Sequence, residues 1–206
     1  LGWSSGDQEI FSLEEMIEKF DISDVGRAAS TFDIQKLRWL NQHYIKDADT
    51  ERLASLLGEC LEGRGLILTE GPPVGAVAEA LRERAETIQE MACKSEYFYQ
   101  EFEGFEEGAA KKHLRPIAAP LLEAVRAELA ALTDWSAEAI HEIVANTAIS
   151  LDVKMGKVAQ PLRVAVSGSG ASPSIEVTLQ LVGQCRTLAR IDRALAFIKE
   201  RGGRNS

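Results

Sequence analysis

The stretch Val153 to Arg163, VKMGKVAQPLR, sets three cations, Lys154, Lys157 and Arg163, around Met155, Val158 and Leu162. The apolar residues fall three and four apart, so they can share one helix face. Pro161 lacks an N–H and its ring crowds the preceding turn. The spacing therefore predicts one or two short helical turns with a break. Cations projecting from a compact, restricted backbone suit a phosphate chain or a splayed-out base. The competing reading is a buried turn whose lysines are merely solvated.

Signatures of catalysis are missing. The sequence has no G-x-x-x-x-G-K-[ST], no dinucleotide glycine fingerprint after a strand and no H-E-x-x-H. Carboxylates are plentiful, but no pair is marked as acid and base. Gly168-x-Gly170 reads as a hinge, because no strand–turn–helix frame surrounds it. Cys60, Cys93 and Cys185 are far apart and pair with none of His43, His113 and His141. Free thiols, no metal site and a reducing cytoplasm follow.

The elements that must hold these residues are helical. The 206 residues, 45% hydrophobic and 27% charged, can build a real core. No apolar run approaches the ~20 residues of a membrane helix. Ser12 and Glu15 have capping-box spacing and open a helix through Phe20. Residues 21–32 read as loop. Asp33 caps a second helix carrying Leu37, Leu40, Tyr44 and Ile45, with Lys36, Asn41 and Gln42 on its other face. Asp49 caps a third, to Glu62, with Leu53, Leu56, Leu57 and Leu61 inward and Gly63 as its stop. Gly71-Pro72-Pro73 marks a boundary. A helix from Val74 running to Tyr99 follows, then an acidic linker at 101–108.

Pro116 opens an Ala-rich helix to Leu132. Ser136, with Trp135 and Ile140 in staple positions, caps the next, which makes Trp135 a structural residue. Arg163 to Ser167, RVAVS, is the best strand candidate and is short. Ser172-Pro173 starts a further helix, ended by Gly183. A last one covers Gln184 to Lys199, with Leu188, Ile191, Leu195 and Ile198 inward and Arg186, Arg190 and Arg193 outward; 201–206 is a frayed tail. The fold class is all-α. Net charge is −9, yet residues 151–206 hold nine Lys and Arg against four Asp and Glu. An acidic body with a basic end lets one face meet phosphates, and equally suits an acidic protein partner.

The sequence resembles a known family. VKMGKVAQPLRVAVSG followed by SP is similar to the anticodon-binding region of bacterial glutamyl-tRNA synthetases. FDIQKLRWLNQHYI and LGWSSGDQEIFSLEEMI resemble the stretch after the catalytic domain, and LRERAETIQEM resembles the segment between. The four stand in the family's order across essentially the whole chain. Lys154-Met155-Gly156-Lys157 is not the family's ATP-binding KMSKS loop: it lacks the serines and lies too late.

The resemblance implies the C-terminal, tRNA-recognition portion of a glutamate–tRNA ligase, without catalytic residues of its own. The Rossmann catalytic domain would precede Leu1. The parent enzyme would use ATP and Mg²⁺ to load glutamate onto tRNA(Glu), and this portion would need no cofactor. Three parts are implied: a stem-contact region at 1–48 and helical anticodon-binding subdomains at 49–114 and 115–206, in a monomeric, cytoplasmic protein. By position, Arg84 corresponds to the arginine that reads the third anticodon base, with Arg82 as the alternative. Arg163 corresponds to the arginine on the first two bases, and Ser172, Pro173 and Ile175 to residues lining the base pockets. Lys154, Lys157, Lys36 and Asn41 would meet the tRNA backbone. The alternative is an acidic helical scaffold for protein partners with a basic C-terminal face.

Overall fold

The computed structural model describes residues 2–26 and 31–203. Residues 27–30 of the expected 21–32 loop and 204–206 of the expected 201–206 tail lie outside the described residues, while 201–203 continue the last helix and are not frayed. Every element longer than a bridge is helical, and the sole extended pairing among the described residues is a bridge of Ser5 with Gln8.

The first helices begin where local chemistry places them. Ser12 and Glu15 complete a reciprocal capping box that starts α1 (Leu13–Lys19). The Asp33 carboxylate accepts from the first-turn amides of α2 (Ile34–Asp47), and Asp49 does the same for α3 (Thr50–Gly63). The turn leaves α3 through Gly65, at φ +81°, two residues beyond the expected stop. Leu53, Leu57 and Leu61 of α3 are buried against α4 (Val74–Leu81) and α5 (Ile88–Tyr99). Leu56, expected inward, is 42% exposed, one step round the helix from that seam.

The single helix expected from Val74 to Tyr99 is two. After Leu81 the chain tightens into a 3₁₀ turn at Arg82–Arg84, and Ala85 is extended. The Thr87 hydroxyl then accepts from the Glu90 amide at 3.1 Å and restarts the helix as α5. Thr-x-x-Glu was the sequence signal for this restart.

The second bundle contains α7 (Ala119–Ala131), α8 (Ala137–Ser150), α9 (Met155–Ser167), α10 (Ile175–Val182) and α11 (Gln184–Gly203). Between the bundles, α6 (Glu107–His113) packs on α9. The core runs without interruption from Ile45 to Ile198. The Ser136 cap holds, and the Trp135 indole donates to the Leu179 carbonyl at 3.0 Å, joining α7–α8 to α10.

Two expectations fail at α9. It is one continuous helix, with Pro161 inside it, and RVAVS is its last turns and no strand. Val158, Pro161, Leu162, Val164, Ala165 and Val166 are all buried, so packing on several sides outweighs the hydrogen bond that proline removes. α10 starts at Ile175, two residues later than expected, with Ser172 and Pro173 in the connection before it. Arg190, expected outward, is 1% exposed.

Candidate nucleic-acid interface

A cleft of ≈ 850 Å³ opens between the two bundles, with Arg84, Tyr97 and Phe102 on one wall and Ser167, Ser169 and Ser172 on the other. Each wall follows from the local folding just described. The 3₁₀ turn exposes Arg84, whose carbonyl accepts from Lys94 and whose guanidinium has no ion pair among the described residues. Had α4 run on into α5, the side chain would point elsewhere. Arg82, two residues earlier, is occupied: it donates to the Lys46 carbonyl at 3.1 Å and the Thr50 hydroxyl at 2.8 Å, and pairs with Glu79 at 2.7 Å. Arg84, not Arg82, is the arginine at the cleft.

Behind the facing wall, α9 holds Arg163, half-buried. Its Nε donates to Ser172 Oγ at 2.9 Å and its Nη2 to the Pro173 carbonyl at 3.4 Å. Thr178 Oγ1 donates to the same Ser172 oxygen at 3.1 Å. The Arg163 guanidinium loses protons more readily than an ordinary arginine, chiefly because it is partly desolvated and next because Arg84 lies close; Tyr97 and Glu176 act the other way. Two like charges therefore lie close together, one in the cleft wall and one behind it, with no carboxylate bonded to either among the described residues. The Tyr97 hydroxyl is buried beside Thr178 without completing a hydrogen bond of ordinary geometry, and burial pushes its ionisation above the usual phenol range.

The walls are held by a clamp. Arg190 donates to the carbonyls of Val166 at 2.8 Å, Tyr97 at 2.9 Å and Gln100 at 3.1 Å, and pairs with Glu101 at 2.9 Å. It thereby ties α11 to the ends of both α5 and α9. Arg190 and Arg193 also lie over the Phe102 ring, at 5.2 and 4.7 Å from its centroid. That ring packs on Gly168, which caps α9 at φ +76° and where a Cβ would come within 2.9 Å of it. Glu106 accepts from the Ser169 hydroxyl at 3.1 Å and the Gly170 amide at 3.3 Å, so the 168–170 turn is fastened and does not act as a free hinge.

The remaining sequence-derived residues scatter. Pro173 and Ile175 are buried; Ile175, 3% exposed, packs in the core and offers the cleft no side-chain surface. Lys154 and Lys157 stand exposed at the start of α9. Lys36 is paired with Glu9, and the Asn41 amide donates to the Glu86 carbonyl. The cleft is lined by Arg84 and Ser172, with Arg163 bonded to Ser172 behind the wall; Lys36 and Asn41 belong to a separate surface on α2. Sequence reasoning missed Tyr97, Thr178 and Arg190. Tyr97 stood out only as part of an aromatic run, and Arg190 carries no local sign of burial.

Comparison with known proteins bears on this geometry. A family model described as anticodon binding domain matches residues 27–195. A crystal structure of a glutamate tRNA ligase from Elizabethkingia meningosepticum, in complex with its amino acid, superimposes with TM-score 0.84 at 28% identity, over 96% of this chain and 39% of that one. A glutamate-tRNA synthetase from Elizabethkingia anophelis gives 0.82 at 29% identity, over 95% and 38%. The chain thus spans about two fifths of the length of these relatives.

Proposed function

The chain belongs to the anticodon binding domain family, and on that premise we propose that it is the tRNA-recognition portion of a glutamate–tRNA ligase, with tRNA(Glu) as its partner. The observation that carries the reading is Arg84 in one wall of the cleft and Arg163 close behind the other, bonded to the cleft-lining Ser172, with no carboxylate in an ion pair with either among the described residues. A single-stranded loop can splay its bases into such an opening and be read on their Watson–Crick edges. In this reading Arg84 forks onto a cytosine carbonyl and ring nitrogen, while guanine would oppose it donor to donor. Arg163, oriented by Ser172 and the Pro173 carbonyl, takes the neighbouring bases; Pro173 and Ile175 act by fixing the start of α10.

The three-part division at 1–48, 49–114 and 115–206 belongs to the same proposal, with α6 leaning on the later bundle. So do a monomeric, cytoplasmic protein and a ligase that draws on ATP and Mg²⁺ outside these residues. Among the described residues no helix is long and apolar enough to cross a membrane. Lys36 and Asn41 would reach RNA only by exchanging Glu9 and the Glu86 carbonyl for phosphate.

The test is binding of an RNA hairpin carrying the tRNA(Glu) anticodon loop, against hairpins with substituted anticodons. Arg163→Ala should weaken binding of every hairpin. Arg84→Gln should reduce the preference for the third-position cytosine by ~1–3 kcal/mol. Equal affinity of the unaltered protein for cognate and substituted loops would refute base reading at this cleft.

A further inference from the structure

His113 at the end of α6 is half-buried, and the charges of Lys112, Arg115, Lys157 and Arg163 all bear on it. These cations come from three places in the sequence: α6, the 3₁₀ connection after it and α9. Packing of α6 and of the Pro116–Ala118 turn on α9 gathers them. Among the described residues, Lys112, Arg115, Lys154 and Lys157 form no ion pair, although the protein carries nine more acidic than basic side chains. Fold stability explains only part of the arrangement. Lys112 sits at the C-terminal end of α6, where a cation suits the helix dipole. Lys154 is the N-cap of α9 and Lys157 sits on its first turn, where the dipole repels cations, and that turn holds no acidic residue.

Arg163 belongs to both neighbourhoods: its charge reaches His113 and also that of Arg84 in the cleft wall. The geometric link is α9 itself, which carries Lys157 at the seam and, further along, Arg163, whose Nε bonds the cleft-lining Ser172 at 2.9 Å. We propose that Lys112, Arg115, Lys154 and Lys157 form a phosphate track that carries the sugar–phosphate backbone flanking the bases read in the cleft. The inference rests on the anticodon reading above and adds to it a path for the strand, across the α6–α9 seam and away from the acidic body. The track reads no sequence; it fixes register and supplies the salt-dependent share of affinity.

The experiment measures hairpin affinity between 50 and 200 mM salt for the unaltered chain, for Lys112→Gln/Arg115→Gln and for Lys154→Gln/Lys157→Gln. All four side chains are exposed, so the fold should hold, which circular dichroism checks. Each double variant should flatten the log–log salt slope by about 1.4, at ~0.7 per single-stranded phosphate, which amounts to roughly 25-fold in affinity at 0.1 M salt. The loss should be the same for cognate and substituted anticodons. An unchanged slope and affinity in Lys112→Gln/Arg115→Gln, with Arg84→Gln still altering base preference, would overturn the track and leave the anticodon reading standing. No binding of any hairpin by the unaltered chain would remove both.

Discussion

Replacing Arg190 with Met removes a guanidinium whose partners are mostly backbone. Three carbonyls, of Val166, Tyr97 and Gln100, lose a charged donor. Val166 is fully buried, and a buried acceptor left unsatisfied costs ~1–3 kcal/mol. Glu101 behaves differently: its side chain is 58% exposed, so water takes over the carboxylate and little is lost there. Methionine keeps most of the packing volume and the contact with Phe102. The sum is about 3–5 kcal/mol, in the range for breaking a buried charged network. For a chain of this size that corresponds to a fall in Tm of roughly 6–20 °C. Urea titration of Arg190→Met beside Glu101→Gln measures it. Because Arg190 also ties the ends of α5 and α9, hairpin affinity should fall in the variant even under conditions where it stays folded. A loss below about 1 kcal/mol, or a Glu101→Gln variant as unstable as Arg190→Met, would refute the argument that carbonyl satisfaction, and not the ion pair, is what the clamp supplies.

Further outcomes follow from the same geometry. Gly168→Ala forces a side chain into the left-handed region, at ~1–2 kcal/mol, and drives a methyl into a ring that two arginines hold in place, so a loss of about 2–4 kcal/mol is expected in the same titration. Gly71→Ala should be damaging for a different reason: its φ of −108° is ordinary, but the new Cβ would lie 2.2 Å from the Tyr99 ring, and thermal melting should report it. The His113 imidazole binds its proton less readily than the ordinary value of 6.5, first because it is desolvated and then because Lys112, Arg115, Arg163 and Lys157 repel the charge. Its pKa is thus lower folded than unfolded, and the unfolded chain takes up the proton first as pH falls. Its contribution is complete above pH 6.5, falls as pH drops through that value and levels off below the folded pKa. His113→Gln should remove that component from a pH series of urea midpoints.

What the sequence made legible was local. Ser12, Asp33, Asp49 and Ser136 start helices because a short side-chain acceptor meets free amides two or three residues on, and nothing distant is needed. The residues that depend on distant packing were misread. Pro161 looks like a helix breaker, and RVAVS like a short strand, only until α7, α8, α10 and α11 surround them. Arg190 has the spacing of a solvent-facing residue on an amphipathic helix; only the arrival of the 97–101 backbone makes its position interior. Leu37 and Tyr44 of α2 share helical spacing with buried Ile45 yet are 48% and 53% exposed, because α2 meets the rest of the described protein mainly through the Arg82–Arg84 turn. At the site, Arg84, Arg163 and Ser172 were nameable one by one. That they come together around one cleft wall depends on the clamp, which no motif announced.

The net charge of −9 misleads for a physical reason. Screening limits each charge to a neighbourhood of ~10 Å at 0.1 M salt, so a ligand responds to the local pattern and not to the total. Over much of the surface, cations are neutralised by neighbours: Arg64 by Glu96, Arg82 by Glu79, Lys94 by Glu90, Arg126 by Asp192. Around the cleft and the α6–α9 seam, Arg84, Lys112, Arg115, Lys154 and Lys157 have no such partner among the described residues, and Arg163 has only neutral oxygens. Of the carboxylates that line the cleft, Glu96 is taken by Arg64 and Glu101 by Arg190, which leaves Glu103 without an ion pair among the described residues. An acidic protein can in this way hold an open cationic surface without spreading affinity over its whole face, which confines a polyanion to one track and one register. Adding acid to that surface should then matter more than adding it anywhere else: Lys157→Glu should abolish hairpin binding at 0.15 M salt, while Arg52→Glu, an equal change in total charge at an exposed position of α3, which does not pack on α6 or α9, should leave it nearly unaltered.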